Sequence, residues 1–198
     1  DITVFGAEGH PNYNRILLSQ VLTVETRFED ITLNTIDWYA KHGMALHLNK
    51  MVVKIDRHSR TVFADDGTSA KYDRLLLATG STPVILPIPG SNLKGVMGFR
   101  NIRDVKIMIE KCAVSRHAVV IGGGLLGLEA ANGLLVRGMD VTVVHIMPWL
   151  MERQMDETSG LMLKKSLESK GIKLSMEREA AEIIGDNGKA KAIRFKDG

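Results

Sequence analysis

A glycine-rich segment at residues 119–129 carries the clearest chemical signal in the chain. Gly122, Gly124 and Gly127 follow the spacing Gly-x-Gly-x-x-Gly, after an apolar strand and at the start of a helix that opens at Leu125. This order suits the pyrophosphate of a dinucleotide. The first glycine allows a tight turn, the second lets the backbone approach the phosphates, and the third lets the helix pack against the strand. A glycine-rich turn without a ligand is the alternative.

The elements on either side of this segment favour the dinucleotide interpretation. The pattern predicts a helix over residues 125–137, which contains no proline and stops at Gly138. A second apolar strand is predicted from Met139 to His145. Together the segments form a complete βαβ unit, the architecture that presents a glycine turn to a nucleotide.

The end of that second strand leaves the choice of nucleotide open. An acid there would accept hydrogen bonds from the adenosine ribose of NAD and repel a 2′-phosphate. This chain has His145 instead. A partly charged histidine would tolerate the phosphate, whereas a histidine that merely ends a strand at the surface would not contact it. The sequence therefore does not decide between NADH and NADPH.

Composition restricts the class of protein. The chain has 198 residues, of which 44% are hydrophobic and 25% charged, so it can bury the core of one large or two small domains. The net charge of +3 is spread along the chain, and we expect no nucleic-acid partner. No apolar run suits a membrane span, and the histidines lack metal-ligand spacing. The single cysteine, Cys112, excludes an internal disulfide and a redox cysteine pair, which fits a cytoplasmic location.

Other segments predict the remaining elements and two domains. Alternating stretches at residues 51–56 and 60–64, followed by a turn, predict an antiparallel β-meander. We expect domains at residues 1–116 and 117–198. Because both end segments look like strands without partners, we expect a fragment of a longer protein. Further predicted strands are 1–5, 45–48, 72–80 (buried), 172–176 and 192–195, and further predicted helices are 37–43, 101–111 and 156–171.

The segment from Asp73 to Pro83 contains an Ala-Thr-Gly strand that resembles the two-dinucleotide flavoprotein reductases. The resemblance implies an α/β fold with two Rossmann-like domains, one for FAD and one for NAD(P)H, and a β-meander. Glu8 matches the acid that binds the FAD ribose, and the strand with Ala78, Thr79 and Gly80 would pass near the FAD. The first pyrophosphate motif would precede Asp1, so these residues alone should bind FAD poorly.

Within that superfamily, residues 1–8, 10–19, 122–134 and 150–156 look like the large subunits of NAD(P)H-dependent nitrite reductases. The resemblance implies electron input from NAD(P)H through FAD to iron–sulfur and siroheme centres outside these residues, for nitrite reduction to ammonia in nitrate assimilation. Expected partners are a small subunit and redox domains of the same polypeptide, with a homodimer as a further assembly. A stand-alone rubredoxin or ferredoxin reductase, or an NAD(H) sensor without enzymatic activity, are the alternatives.

The resemblance also assigns individual residues. Arg15 matches a guanidinium beside FAD, Val52 a backbone contact with adenine, and Arg100 an arginine near the flavin. Glu129 matches a glutamate near the nicotinamide, which makes it the candidate catalytic residue. Ordinary solvent-facing or strand positions are the alternatives for these four. Gln20 stands where the rubredoxin and ferredoxin reductases carry a lysine beside the flavin, so that role is not transferred.

Overall fold

The structure is a computed structural model that describes residues 1–198. The chain separates into two compact units, one of residues 1–15 and 28–81 and the other of residues 16–27 and 82–198. The predicted boundary between cofactor domains at residues 116 and 117 stays a prediction. The elements in chain order are β1 (Ile2–Phe5), α1 (Leu18–Leu22), α2 (Ile36–Lys41), β2 (Met44–His47), β3 (Val52–Asp56), β4 (Thr61–Ala64), β5 (Ser69–Lys71), α3 (Ile102–Cys112), β6 (His117–Ile121), α4 (Leu125–Val136), β7 (Asp140–His145), α5 (Glu157–Ser169), β8 (Lys173–Met176), β9 (Ala180–Asp186) and β10 (Lys189–Phe195).

The first unit contains a parallel strand pair and an antiparallel meander. Strands β1 and β2 pair in parallel, with Ile2 opposite Met44 and Phe5 opposite His47. The side chain of Thr35 begins α2 by accepting a hydrogen bond from the N–H of Trp38 at 3.2 Å. Strands β3, β4 and β5 are neighbours in an antiparallel sheet, which confirms the predicted meander.

The second unit is built on the parallel sheet β6–β7–β8. The central strand β7 supplies fully buried Val141, Val143 and Val144. Because neighbouring Val143 and Val144 point to opposite faces, both faces of this parallel strand are covered. Helix α4 connects β6 to β7, as predicted for the βαβ unit. An ideal Cβ on Gly133 of α4 would lie 2.5 Å from Cγ of Leu22, so α1 approaches α4 at a position where only glycine leaves room.

Helices α3 and α5 begin at side-chain caps. The Asn101 side chain accepts a hydrogen bond from the N–H of Asp104 at 2.9 Å, and the Asp104 carboxylate accepts one from the N–H of Asn101 at 3.2 Å, which is a capping box. Asp156 caps α5 by accepting from the N–H of Ser159 at 2.8 Å. A hydrogen bond from a backbone N–H favours the charged form of a carboxyl group, and the bond from Ser159 lowers the pKa of Asp156. The longest helix, α5, has 13 residues, and no helix reaches the length and apolarity that a bilayer crossing requires.

One predicted element is wrong. The segment 72–80 was expected to be a buried strand, but residues 75–80 have no regular secondary structure. The side chains of Leu76 and Leu77 are 87% and 64% exposed. A strand requires a neighbour for its backbone hydrogen bonds, and no strand of the sheets pairs with this segment.

Strands β9 and β10 form a hairpin in the second unit, and the sequence pattern predicted only the second of these strands. Strand β10 pairs in antiparallel fashion with β9. The turn between them contains Asn187 and Gly188 with φ values of +50° and +74°. Two consecutive positive φ values are typical of a hairpin turn, and Asn-Gly is its usual sequence. The signal for β9 was therefore present.

Candidate functional site

The glycine turn between β6 and α4 is closed by two close approaches. Gly122 has φ +116°, and its N–H donates to the carbonyl oxygen of Val144 at 2.8 Å. An ideal Cβ on Gly127 would lie 2.1 Å from the carbonyl oxygen of Gly122 and 3.5 Å from Cγ1 of Val120. The first turn of α4 therefore passes directly against the turn, and a side chain at either glycine is incompatible with this backbone.

Gly124 leaves open space at the start of α4. It is the N-cap residue, and no atom lies within 4 Å of its ideal Cβ. The first N–H groups of a helix have no partner within the helix, and the helix dipole makes this end attractive to anions. The side chain of Leu125 is 58% exposed at the same end. A phosphate group fits this arrangement, because its oxygens can accept hydrogen bonds from the first N–H groups of α4 and Gly124 leaves room for it.

His145 lies inside the second unit, bonded to the glycine turn. It is the last residue of β7 and only 6% exposed. Its Nδ1 accepts a hydrogen bond from the N–H of Gly123 at 3.1 Å, and its Nε2 lies 3.1 Å from Oε2 of Glu152. The alternative that this histidine ends its strand at the surface is therefore wrong. No motif in the sequence indicated that Glu152 belongs to the same cluster.

Glu129 and Arg100 occupy different settings within this unit. Glu129 lies one turn into α4, and partial burial of its carboxyl group raises its pKa. A carboxyl group with a raised pKa is a candidate for holding a proton. Arg100 is half-buried just before α3, and its backbone N–H donates to Oδ2 of Asp104 at 2.9 Å.

The first unit contains a hydrogen-bonded cluster around Glu8. Oε2 of Glu8 accepts from the hydroxyl of Tyr13 at 2.7 Å, and Oε1 accepts from Nη2 of Arg15 at 2.8 Å. The Arg15 guanidinium also lies 4.9 Å from the centroid of the Tyr13 ring. The three side chains hold one another in place. The sequence predicted Glu8 and Arg15 as site residues but not Tyr13. The Asn-Tyr-Asn-Arg loop was the available signal.

Backbone and side-chain hydrogen bonds fix the two loops that carry this cluster. The carbonyl oxygen of Glu8 accepts from the N–H of Asn49 at 3.1 Å. The N–H of Asn14 donates to the carbonyl oxygen of Ile31 at 2.8 Å, and the hydroxyl of Tyr39 donates to Oδ1 of Asn12 at 3.0 Å. Because Ile31 and Tyr39 are buried, the loop is attached to the core of its unit.

The remaining predicted residues of the first unit lie outside this cluster. Val52 begins β3, beside a register shift in the β3–β4 pair. Ala78, Thr79 and Gly80 belong to the exposed irregular segment, and Gly80 has φ +68°.

A parallel βαβ unit with this glycine turn is the hallmark of α/β dinucleotide-binding proteins. The model of one family within that class, "Pyridine nucleotide-disulphide oxidoreductase", matches residues 1–198, and the chain belongs to this family.

Three similar proteins show how the chain relates to longer ones. "Nitrite reductase [NAD(P)H]" of Bacillus subtilis (strain 168) is 52% identical over 197 residues, which cover 100% of this chain and 24% of that protein. "Assimilatory nitrate reductase electron transfer subunit" of the same organism is 48% identical over 198 residues, 100% of this chain and 26% of that protein. The solved ferredoxin reductase for the CYP199A2 system of Rhodopseudomonas palustris is 26% identical, with a TM-score of 0.91 over 100% of this chain and 49% of that one. The chain thus spans about a quarter of those two relatives, and its α/β fold is that of the reductase.

Proposed function

We propose that this chain is the electron-input part of an NAD(P)H-dependent nitrite reductase that uses FAD. The observation that carries the proposal is the strand–glycine turn–helix unit, in which Gly124 leaves open space at the N-terminus of α4. The 52% identity to a protein named nitrite reductase [NAD(P)H] supports the substrate. The chemistry that bound FAD would supply is acceptance of a hydride from NAD(P)H and release of single electrons.

In this proposal, α4 and its glycine turn bind NAD(P)H. The N–H groups at the helix start bind the pyrophosphate, with Gly122 shaping the turn and Gly127 allowing the close approach. Leu125, the first helical residue, contributes its backbone N–H. Glu129 faces the nicotinamide end and holds a proton more readily than an exposed glutamate, because burial raises its pKa.

The first unit would hold the adenosine part of FAD. Glu8 is the acceptor for the ribose hydroxyls, and its bonds from Tyr13 and Arg15 keep the carboxylate in one orientation. Arg15 adds a positive charge suited to the FAD phosphates. The backbone of Val52 would meet the adenine. The Ala78-Thr79-Gly80 segment, in the same unit, would contact the remaining parts of FAD.

The electron acceptor is the finer part of the proposal. Iron–sulfur and siroheme centres would lie in parts of the protein outside these residues, together with a small subunit. The relative named as an electron transfer subunit supports delivery of electrons to other redox centres. A protein thiol is a poor acceptor here, because Cys112 has no second cysteine and its burial raises the thiol pKa.

A second candidate function is a stand-alone reductase for a small iron–sulfur or rubredoxin-type protein. The match to a ferredoxin reductase over the whole chain, at a TM-score of 0.91, favours it. The structural framework is the same in both cases, so the two functions differ only in what receives the electrons.

Anaerobic mixing of the full-length protein with NADH or NADPH tests the proposal. Bleaching of the flavin absorbance together with nitrite consumption is the expected result. Bleaching with reduction of an added ferredoxin or rubredoxin but no loss of nitrite would favour the second candidate. Nucleotide binding without bleaching would contradict both and indicate a sensor.

The Glu8 cluster offers a separate test on FAD content. We expect Glu8→Gln to lower the FAD occupancy of the purified protein, because an amide is a weaker acceptor for ribose hydroxyls and for Arg15 than a carboxylate. Glu29→Gln is the matched control, since Glu29 is an exposed carboxylate in the same unit. Equal FAD occupancy in the two variants would remove Glu8 from the binding site.

A further inference from the structure

The loop after β7 is bonded to both backbone polar groups of Gly123. The Gly123 N–H donates to His145, and its carbonyl oxygen accepts from the N–H of Met151 at 3.0 Å. An ideal Cβ on Gly123 would lie 2.5 Å from Cδ2 of Leu150 and 2.8 Å from Cγ of His145. The middle glycine of the Gly-Gly-Gly run is therefore required by this loop, and its amide is not available to a phosphate.

These bonds define the tautomer of the His145 ring. Nδ1 accepts an N–H, so its lone pair is there and its proton is not. The proton is on Nε2, which donates it to Oε2 of Glu152 at 3.1 Å. The ring is neutral in this arrangement and 6% exposed. It therefore offers neither a positive charge for a 2′-phosphate nor a free atom for a ribose hydroxyl.

Glu152 supplies the charge that the end of β7 lacks. Its side chain is 21% exposed, so the carboxylate is held by the protein but still reaches solvent. In a dinucleotide unit the adenosine ribose lies beyond the carboxyl end of the second strand. The Glu152 carboxylate is one hydrogen bond away from the residue at that position, on the loop that is bonded to the glycine turn.

We propose that Glu152, oriented by His145, recognises the adenosine ribose and makes the site select NADH over NADPH. This inference rests on the proposed function of the glycine turn. A fixed carboxylate accepts hydrogen bonds from the 2′- and 3′-hydroxyls and repels a 2′-phosphate. His145 acts as a positioning residue, because its Nε2–H holds Oε2 and leaves Oε1 to meet the ribose.

Arg153 is the cation that could reverse this preference. Its Nε lies 3.9 Å from Oε1 of Glu152, and its side chain is 87% exposed. Solvent screens the attraction between an exposed arginine and a phosphate, and the neighbouring carboxylate neutralises part of the arginine charge. We therefore expect the half-buried carboxylate to dominate over the exposed guanidinium.

Titration of the full-length protein with NAD⁺ and NADP⁺ by calorimetry tests the inference without any turnover. The wild-type protein should bind NAD⁺ more tightly by about tenfold or more, the scale of one lost charge interaction. Glu152→Gln keeps the side-chain shape and an acceptor for His145, and it should reduce that ratio to about threefold or less. His145→Asn removes the bond to Glu152 and should lower the ratio as well, which a purely structural histidine would not do.

Two matched controls separate the outcomes. Glu157→Gln makes the same change of charge on an exposed residue nearby in the chain and should leave the ratio unchanged. A preference for NADP⁺ that Arg153→Gln abolishes, or a ratio that Glu152→Gln does not move, would overturn the assignment while leaving nucleotide binding intact. Wild-type protein that binds neither nucleotide would overturn the proposed function itself.

Discussion

The carbonyl oxygen of Gly122 lies 2.1 Å from the position that a Cβ atom on Gly127 would occupy. The contact is with backbone rather than with a flexible side chain, so the helix start must move if Gly127 carries a methyl group. We expect Gly127→Ala to destabilise the protein by about 1–3 kcal/mol, as overpacking typically does. Urea denaturation measures this directly, and an unchanged midpoint would show that α4 shifts without cost.

Gly124→Ala should have the opposite profile. No atom lies within 4 Å of its ideal Cβ, and its φ of −85° suits any residue. We therefore expect only a small fall in the denaturation midpoint, from the change of a glycine to an alanine N-cap. The loss of NAD⁺ affinity should be about tenfold or more, because the methyl group occupies the space proposed for the pyrophosphate. Retained affinity would place the pyrophosphate elsewhere.

The attachment of α1 depends on Arg137. Its Nε donates to the carbonyl oxygen of Leu22 at 2.6 Å, and its Nη2 donates to that of Val21 at 3.0 Å. These are the last carbonyls of α1, where a helix leaves carbonyls without helical partners, and the Val21 carbonyl oxygen also accepts from the N–H of Val24 at 3.2 Å. We expect Arg137→Met to destabilise the protein by about 1.5–3 kcal/mol, the range for hydrogen bonds from a charged group.

Arg103→Met is the control for that substitution, because Arg103 is exposed on α3. It should change the denaturation midpoint little. Similar losses in both variants would mean that the arginine charge, and not the bonds to α1, accounts for the effect.

The glycine turn could be predicted because its requirements are local. Gly122 and Gly127 are five residues apart, and the pattern of an apolar strand followed by a helix fixes how their backbones meet. The contact of His145 with Gly123 could not be predicted, since it joins residues 22 apart. A strand pattern does not tell whether its last side chain turns inward or outward.

The prediction of a buried strand at residues 72–80 was wrong for a related reason. Its apolar composition indicates that the segment can be buried. Whether it forms a strand depends on a neighbouring strand to pair with, and composition does not indicate one. Tyr13 illustrates the opposite case. The sequence pointed to its loop, yet only the three-dimensional arrangement brings its hydroxyl to Glu8 and its ring to Arg15.

Val24 offers a stabilising substitution. It follows α1 with φ +67°, and its side chain is 68% exposed. A β-branched residue in the left-handed region costs about 1–2 kcal/mol. We expect Val24→Gly to raise the free energy of unfolding by up to about 1 kcal/mol, after the greater chain entropy that glycine gives the unfolded state.

Val136→Gly makes the same change at an exposed position in the last turn of α4, where φ is not positive. There it should destabilise the protein, by up to about 1 kcal/mol. A gain in stability at both positions would show that the strain at Val24 is not the cause.

The stability of the folded protein should depend on pH through Glu129. Burial raises its pKa in the folded state above the ordinary value of 4.5. The folded protein therefore binds a proton more tightly than the unfolded chain, and the stability that this provides is complete below the unfolded pKa and is lost as the pH rises through the folded pKa.

Glu129→Gln cannot ionise, so it should be more stable than the wild type at about pH 7, and this advantage should shrink towards about pH 4. Urea denaturation at both pH values measures the difference, with Glu110→Gln on the exposed face of α3 as control. An advantage of equal size at both pH values would mean that packing of the amide, and not the desolvated charge, is responsible.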